Sequence, residues 1–295
     1  MHADLILPLT IVGIVTGSMY ALGAMGIVVI YKTTRVLNFA HGAIGMISAF
    51  LAYQLGYLWS MNVGIAALSA IAFSALLGFS IERFTIRPLE GKAPLIKVVV
   101  TLGWLLIITS FAGIKWGASA YHVPIKLVPE GTVGLPGVHI SYADLATLAV
   151  AGVLTAALAT FFRLTRLGVA MRAVADDVSS ARILGIRVDR VNSTAWILGS
   201  VLAAITGILL SPKVALDTYS LTLLVIFSFA AALYGGLVSL PKAFAAAMVL
   251  GVVQSVSSGF LHLAGLADLI ALAVIIFALV QPGSALMRAV AKEGA

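Results

Sequence analysis

Long apolar runs separated by short polar stretches constrain this chain more than any other feature of its sequence. A helix needs about 20 apolar residues to cross a hydrocarbon core about 30 Å thick. Nine runs have about that length, and β-barrels instead show short alternating segments. We therefore predict an all-α polytopic bundle of about nine transmembrane helices, within a range of eight to ten. The runs are Leu5 to Tyr31, Leu37 to Tyr57, Asn62 to Ile81, Leu95 to Gly117, Tyr142 to Phe162, Val191 to Ser211, Tyr219 to Leu240, Phe244 to Leu261 and Leu263 to Val280.

Composition supports a membrane protein without a separate soluble domain. Hydrophobic residues make up 61% of the chain, against roughly 45 to 50% in ordinary soluble domains. We predict a single transmembrane domain over residues 1–295, in contact with the lipid bilayer. The chain has no cysteine, which excludes disulfides and thiolate metal sites.

The distribution of Lys and Arg predicts the orientation of the bundle. Cytoplasmic loops carry an excess of these residues. With the N-terminus outside and the C-terminus cytoplasmic, 15 of the 18 lie on the inner side, and only Lys115, Lys126 and Lys213 lie outside. This places residues 118–141 in an extracytoplasmic loop and residues 163–190 in the cytoplasm. Anionic lipid at the inner face accounts for the net charge of +7 without a nucleic-acid partner.

The membrane segments lack the groups expected of an ion-coupled transporter or an enzyme. Charged residues such as Glu82, Lys97 and Asp144 fall near helix ends, whereas proton relays place such groups inside the bilayer. Nucleotide-binding, hydrolase and metalloprotease motifs are absent, and the five histidines are not at metal-ligand spacing. We predict no enzyme activity and no cofactor or metal in this chain, so its energy source lies elsewhere.

A polar block interrupts the apolar runs at residues 168–191, "GVAMRAVADDVSSARILGIRVDRV". Its pattern predicts two short helices, the first from Val169 to Ala175. Asp176 or Asp177 is suited to cap the second helix, and Gly185 is suited to end it in a left-handed conformation. An ordinary charged inner loop is the alternative interpretation. We predict a cytoplasmic coupling segment over residues 163–190.

The block carries a family resemblance. Ser179-Ser180-Ala181-x-x-x-Gly185 is similar to the E-A-A-x-x-x-G signature of bacterial ABC import permeases, with its first two positions changed. Three other stretches occur in the order typical of the branched-chain amino acid permease family, LivH type, which the chain resembles along its whole length. They are "GSMYALGAMGIVVIYKTTRVLNFAHG" at 17–42, "ERFTIRPLEGKAPLIKVVVTLG" at 82–103 and "YGGLVSLPKAF" at 234–244.

The resemblance implies partners and site residues. It implies a related second permease subunit of the LivM type, two ATPase subunits that bind ATP and Mg, and an extracytoplasmic substrate-binding protein, in the bacterial inner membrane. Asn38 and His41 lie in the most specific stretch and are candidates for the substrate path. The candidate contacts to the ATPase are Arg172, Asp176, Asp177, Ser180, Ala181, Arg182 and Gly185.

Several functions remain open from sequence. The first is the permease subunit of an ATP-driven importer for branched-chain or other apolar amino acids. Departures from the family pattern at Lys32, Val238 and Lys242 bear on the substrate, so urea, short amides or related small solutes are an alternative. A self-sufficient secondary transporter or channel is an alternative of another class. An intramembrane enzyme would rest only on Asp144 and Asp268 near helix ends.

Overall fold

The computed structural model describes residues 3–117, 131–135, 138–214, 216–218, 222 and 225–261, with isolated positions from 269 to 277. The described part is almost entirely helical, as predicted. Two antiparallel strands, β1 (Thr132–Leu135) and β2 (Val138–Ser141), form a hairpin before the fifth helix. The helices are α1 (Ala3–Thr34), α2 (His41–Tyr53), α3 (Val63–Ile81), α4 (Pro94–Trp116), α5 (Tyr142–Leu164), α6 (Arg166–Asp176), α7 (Val178–Ile183), α8 (Val188–Leu210), α9 (Val225–Tyr234) and α10 (Leu240–Leu261).

Six helices in the described part are long and apolar enough to cross a membrane: α1, α3, α4, α5, α8 and α10. Two predicted runs differ from expectation. The second becomes helical only at His41 and continues past α2 through a π-helical turn, Gln54–Leu58. In the seventh, the described helix α9 ends at Tyr234, six residues before the run does, because Gly236, at a φ of 65°, takes the left-handed conformation that ends helices. The ninth run lies almost wholly outside the described residues, and the orientation in the membrane stays a prediction.

Two of the six membrane-length helices lie at the centre of the bundle. α1 and α8 are mostly buried, whereas α3, α4, α5 and α10 keep most of their apolar surface on the outside. α8 packs against α1, α2 and α3. Since α8 begins at Val188, inside the polar block, that block is continuous with the centre of the bundle.

Glycines bring the central helices into backbone contact. A Cβ added to Gly207 of α8 would lie 2.2 Å from the carbonyl oxygen of Gly45 in α2, and one on Gly251 of α10 would lie 2.3 Å from the Gly17 nitrogen in α1. Small residues at such crossings allow close van der Waals packing in membranes, where the hydrophobic effect between helices is absent. The crossings therefore leave no space for a side chain at these four positions.

Candidate functional site

The predicted coupling segment folds into two capped helices, α6 and α7. The Thr165 hydroxyl accepts a hydrogen bond from the Gly168 backbone N–H at 2.9 Å and caps α6. Of the two predicted caps for α7, Asp177 is the one used, because its Oδ1 accepts from the Ser180 N–H at 2.7 Å. The first predicted helix is confirmed with wider bounds, Arg166–Asp176.

Gly185 ends α7 in the predicted left-handed conformation, with a φ of 80°. Its N–H donates to the Arg182 carbonyl at 3.0 Å, and the Ile186 N–H donates to the Ala181 carbonyl at 3.0 Å. This pair of bonds is a Schellman motif, which satisfies the last carbonyls of a helix and turns the chain sharply. The turn directs the chain back to the bundle, where α8 begins.

The seven predicted coupling residues divide into two groups. Ala181 is only 1% exposed and packs into an apolar cluster with Met171 and Val188, so its side chain anchors α7 to the bundle. The other six are exposed: Arg172, Asp176, Asp177, Ser180, Arg182 and Gly185.

Two further residues complete this surface and are not among the seven predicted contacts. Ile183 and Leu184 are 86% and 78% exposed at the end of α7. Their apolar character beside a predicted helix end was the signal available from sequence. An exposed apolar pair on a short, well-capped helix is the arrangement expected of a surface that docks onto another protein.

Polar contacts connect the coupling segment to the neighbouring connections. Arg182 forms an ion pair with Glu90, with 2.9 Å between Nη2 and Oε1. Arg35 donates to the Ala175 carbonyl at 2.8 Å. Because the first pair is largely exposed, it contributes only about 0–1 kcal/mol to stability. Its effect is to join the coupling segment to the turn before α4.

A buried carboxylate lies behind that turn. Glu82, which the sequence placed near a membrane interface, is 1% exposed in a π-helical turn, Glu82–Ile86. Arg87 donates to both of its oxygens, at 3.0 and 2.9 Å. The Ser193 hydroxyl of α8 donates to the same carboxylate at 2.7 Å. The negative charge is therefore neutralised within the chain, and the connection between α3 and α4 is fixed to the first turns of α8.

A cavity of about 240 Å³ lies between this buried pair and the coupling segment. Its lining includes Arg35, Lys97 and Asn192, together with Glu90 and Val178 of the segments described above. One wall therefore belongs to α7, so displacement of α7 would change the shape of this polar cavity.

The chain is not helical between α1 and α2. Thr101 of α4, which is fully buried, holds this break: its hydroxyl lies 3.1 Å from the Leu37 carbonyl and accepts from the Phe39 N–H at 3.3 Å. The Asn38 side chain accepts from the Ala40 N–H at 3.1 Å. Irregular backbone at membrane depth is tolerated only where protein buries it or where it lines a cavity.

His41 follows the break and is 2% exposed. A Cβ on Gly26 of α1 would lie 2.6 Å from the His41 Cε1, so the imidazole lies against that glycine. Gly26 is five residues before Tyr31, where the first apolar run ends, which corresponds to about 8 Å at a rise of 1.5 Å per residue. α2 therefore begins inside the bundle. Both predicted path residues are buried there, and neither the Asn38 Nδ2 nor the two His41 nitrogens has a hydrogen-bond partner.

Known proteins are similar to this chain over most of its length. A family model described as branched-chain amino acid transport system / permease component matches residues 9–279. The high-affinity branched-chain amino acid transport system permease proteins LivH of Salmonella typhimurium and Escherichia coli are each 30% identical over 262 residues, which cover 84% of this chain and 85% of theirs. The corresponding protein BraD of Pseudomonas aeruginosa is 30% identical over 255 residues, covering 82% of this chain and 83% of its own.

Proposed function

The chain belongs to the family of branched-chain amino acid transport permease components, and from this premise we propose that it is the permease subunit of an ATP-driven importer. Its role is to form the translocation path for branched-chain or other apolar amino acids across the bacterial inner membrane. The proposed assembly contains a related second permease subunit, two ATPase subunits that bind ATP and Mg, and an extracytoplasmic binding protein.

The exposed end of α7 is the observation that carries this proposal. Ile183 and Leu184 project from the molecule, while Ala181 and the Schellman turn at Gly185 hold the helix in place. Full burial of such side chains contributes about 1.5–3 kcal/mol each. Burial of this pair against an ATPase subunit would therefore contribute about 3–6 kcal/mol of gross hydrophobic stabilisation to the contact.

The mechanism follows from how the coupling segment is connected. ATP binding and hydrolysis on the partner subunits would displace α6 and α7, which lead into α8 within a few residues. α8 packs against α1, α2 and α3, so its displacement would change the bundle around the break that holds Asn38 and His41. Opening of the bundle alternately to each side is a rearrangement of packed elements between two states.

A pair of variants tests the docking surface. Ile183→Ser combined with Leu184→Ser should abolish copurification of the ATPase subunits, while the melting temperature of the chain stays unchanged because both side chains are already exposed. Val133→Ser is the matched control, since Val133 is also exposed but lies in the hairpin. Equal copurification by both variants would contradict the assignment of the docking surface.

The solute is proposed from the polar groups near the break. The buried ones are the Asn38 amide, the His41 imidazole and the Thr101 hydroxyl; none carries a fixed charge, which suits a small zwitterion with an apolar side chain. Urea and short amides are the competing solutes. We expect leucine, isoleucine or valine to raise the melting temperature of the partner binding protein. A response confined to urea or amides would contradict the amino-acid assignment.

A further inference from the structure

His41 occupies an environment that ordinary packing does not explain. The imidazole is 2% exposed at a depth of about 8 Å in the bundle. The Gly23 backbone lies close to the ring, yet neither ring nitrogen makes a hydrogen bond of normal geometry. Buried polar side chains are nearly always partnered, and an unpartnered one destabilises the fold. An imidazole buried without a well-formed hydrogen bond calls for an explanation.

The ring lines a small cavity between α1, α2, α8 and α9. The cavity measures about 20 Å³, and its lining includes Gly23, Thr206 and Ser228. A space of that size accommodates roughly one oxygen-sized group. Gly23 leaves room for the Ser228 hydroxyl, because a Cβ there would lie 2.4 Å from Ser228 Oγ. Thr206 donates its own proton to the Leu202 carbonyl, so Ser228 and His41 are the groups able to donate.

The N-terminus of α2 adds a positive electrostatic potential to this cavity. α2 and the π-helical turn after it form an 18-residue helical run, from His41 to Leu58. Its first turn has no side-chain cap, and Gly42 of that turn lines the cavity. The N-terminus of a helix carries a partial positive charge and free N–H groups, which favour anions. No Asp or Glu lines this cavity among the described residues.

We propose that the first turn of α2, with His41 and Ser228, binds the carboxylate group of the solute inside the membrane. This inference rests on the proposed function and assigns a place to one end of the zwitterion. A carboxylate oxygen matches the size of the cavity, the donors that line it and the polarity of the helix end. The remainder of the solute requires more space, so the site accepts the whole molecule only when α8 or α9 moves away from α1.

Replacement of His41 by leucine tests the site in the complete assembly, reconstituted with both permease subunits, the ATPase subunits and the binding protein. His41→Leu should keep or raise the melting temperature, because it removes an unpartnered buried group. Leucine uptake should fall at least tenfold while ATP hydrolysis stimulated by the loaded binding protein is retained. The ratio of ATP hydrolysed to leucine imported should therefore rise at least tenfold. His41→Gln, which keeps a side-chain donor, should recover part of the uptake.

Ser48→Ala is the matched control for this series. Ser48 lies on the same helix, is fully buried and donates to the Ile44 carbonyl, but it does not line the cavity. Its uptake should stay near that of the unmodified assembly. Uptake by His41→Leu within twofold of the unmodified assembly would overturn the site. A parallel fall in melting temperature, ATP hydrolysis and uptake would show that His41 has a structural role. That result too would overturn the proposed site.

A second measurement tests the carboxylate assignment. Thr206→Cys places the only thiol of the chain in the cavity lining, where methyl methanethiosulfonate should react with it during ATP turnover. Leucine should slow this reaction at least threefold, and leucinamide, which lacks the carboxylate, should not. Equal protection by both compounds, or no reaction during turnover, would overturn the proposal. Absence of ATP-driven leucine uptake by the unmodified assembly would instead count against the proposed function.

Discussion

Replacement of Gly185 by valine should uncouple transport while the chain stays folded. Gly185 has a φ of 80°, a conformation that costs L-residues roughly 1–2 kcal/mol. An added Cβ would meet no atom within 4 Å, so backbone strain accounts for the whole effect. Relief of that strain requires a negative φ, which would break the bonds from Gly185 to Arg182 and from Ile186 to Ala181. A penalty of this size shifts the balance towards a displaced α7 by about 5- to 30-fold.

The assay compares abundance, ATP hydrolysis and uptake in the reconstituted assembly. Gly185→Val should reach normal abundance but lose most uptake and most stimulation of ATP hydrolysis. Gly185→Asn should retain both, because asparagine tolerates the left-handed conformation. Gly236→Val is the matched control, since Gly236 has a φ of 65° and equally open surroundings but lies between α9 and α10. Full coupling in Gly185→Val, or equal uncoupling in Gly236→Val, would refute the reasoning.

Three further predictions concern packing, charge and orientation. Gly251→Ala should lower the free energy of unfolding in detergent by about 1–3 kcal/mol, as overpacking does, because the added Cβ would lie 2.3 Å from the Gly17 nitrogen. Gly113→Ala should leave it unchanged, because Gly113 has open space around it. Arg87→Met should destabilise the chain by about 3 kcal/mol, the lower end of the range for a broken buried pair, because the arginine is 19% exposed. The double variant with Glu82→Met should recover most of this loss. An unchanged melting curve for the single variant would contradict the role of the pair. An impermeant thiol reagent on intact cells should label Val133→Cys and spare Ser180→Cys, and the reverse pattern would invert the predicted orientation.

The features predicted from sequence depend on local chemistry. A sufficiently long apolar run indicates a spanning helix whatever its neighbours are. The runs of α1, α3, α4, α5, α8 and α10 are therefore visible in the sequence. Gly185 was predictable for a similar reason, since glycine readily adopts the left-handed conformation after a short helix. The end of the run that contains α9 was predicted too late in the chain, because apolar composition continues through a turn that Gly236 imposes.

The features that sequence could not predict depend on contacts between distant segments. The depth of His41 follows from its contact with Gly26 and from Thr101, which holds the break from another helix. The burial of Glu82 depends on Ser193, more than a hundred residues away. Apolar character at Ile183 was visible in sequence, but its exposure required knowing that Ala181 faces the bundle.

Leucine uptake into proteoliposomes tests the central claim most directly. The chain should be reconstituted alone and, separately, with the second permease subunit, the ATPase subunits and the binding protein. We expect leucine to accumulate against its gradient only in the complete assembly and only with ATP and Mg. Leucine uptake by the chain alone, driven by an ion or solute gradient and indifferent to ATP, would contradict the account and identify a self-sufficient transporter or channel.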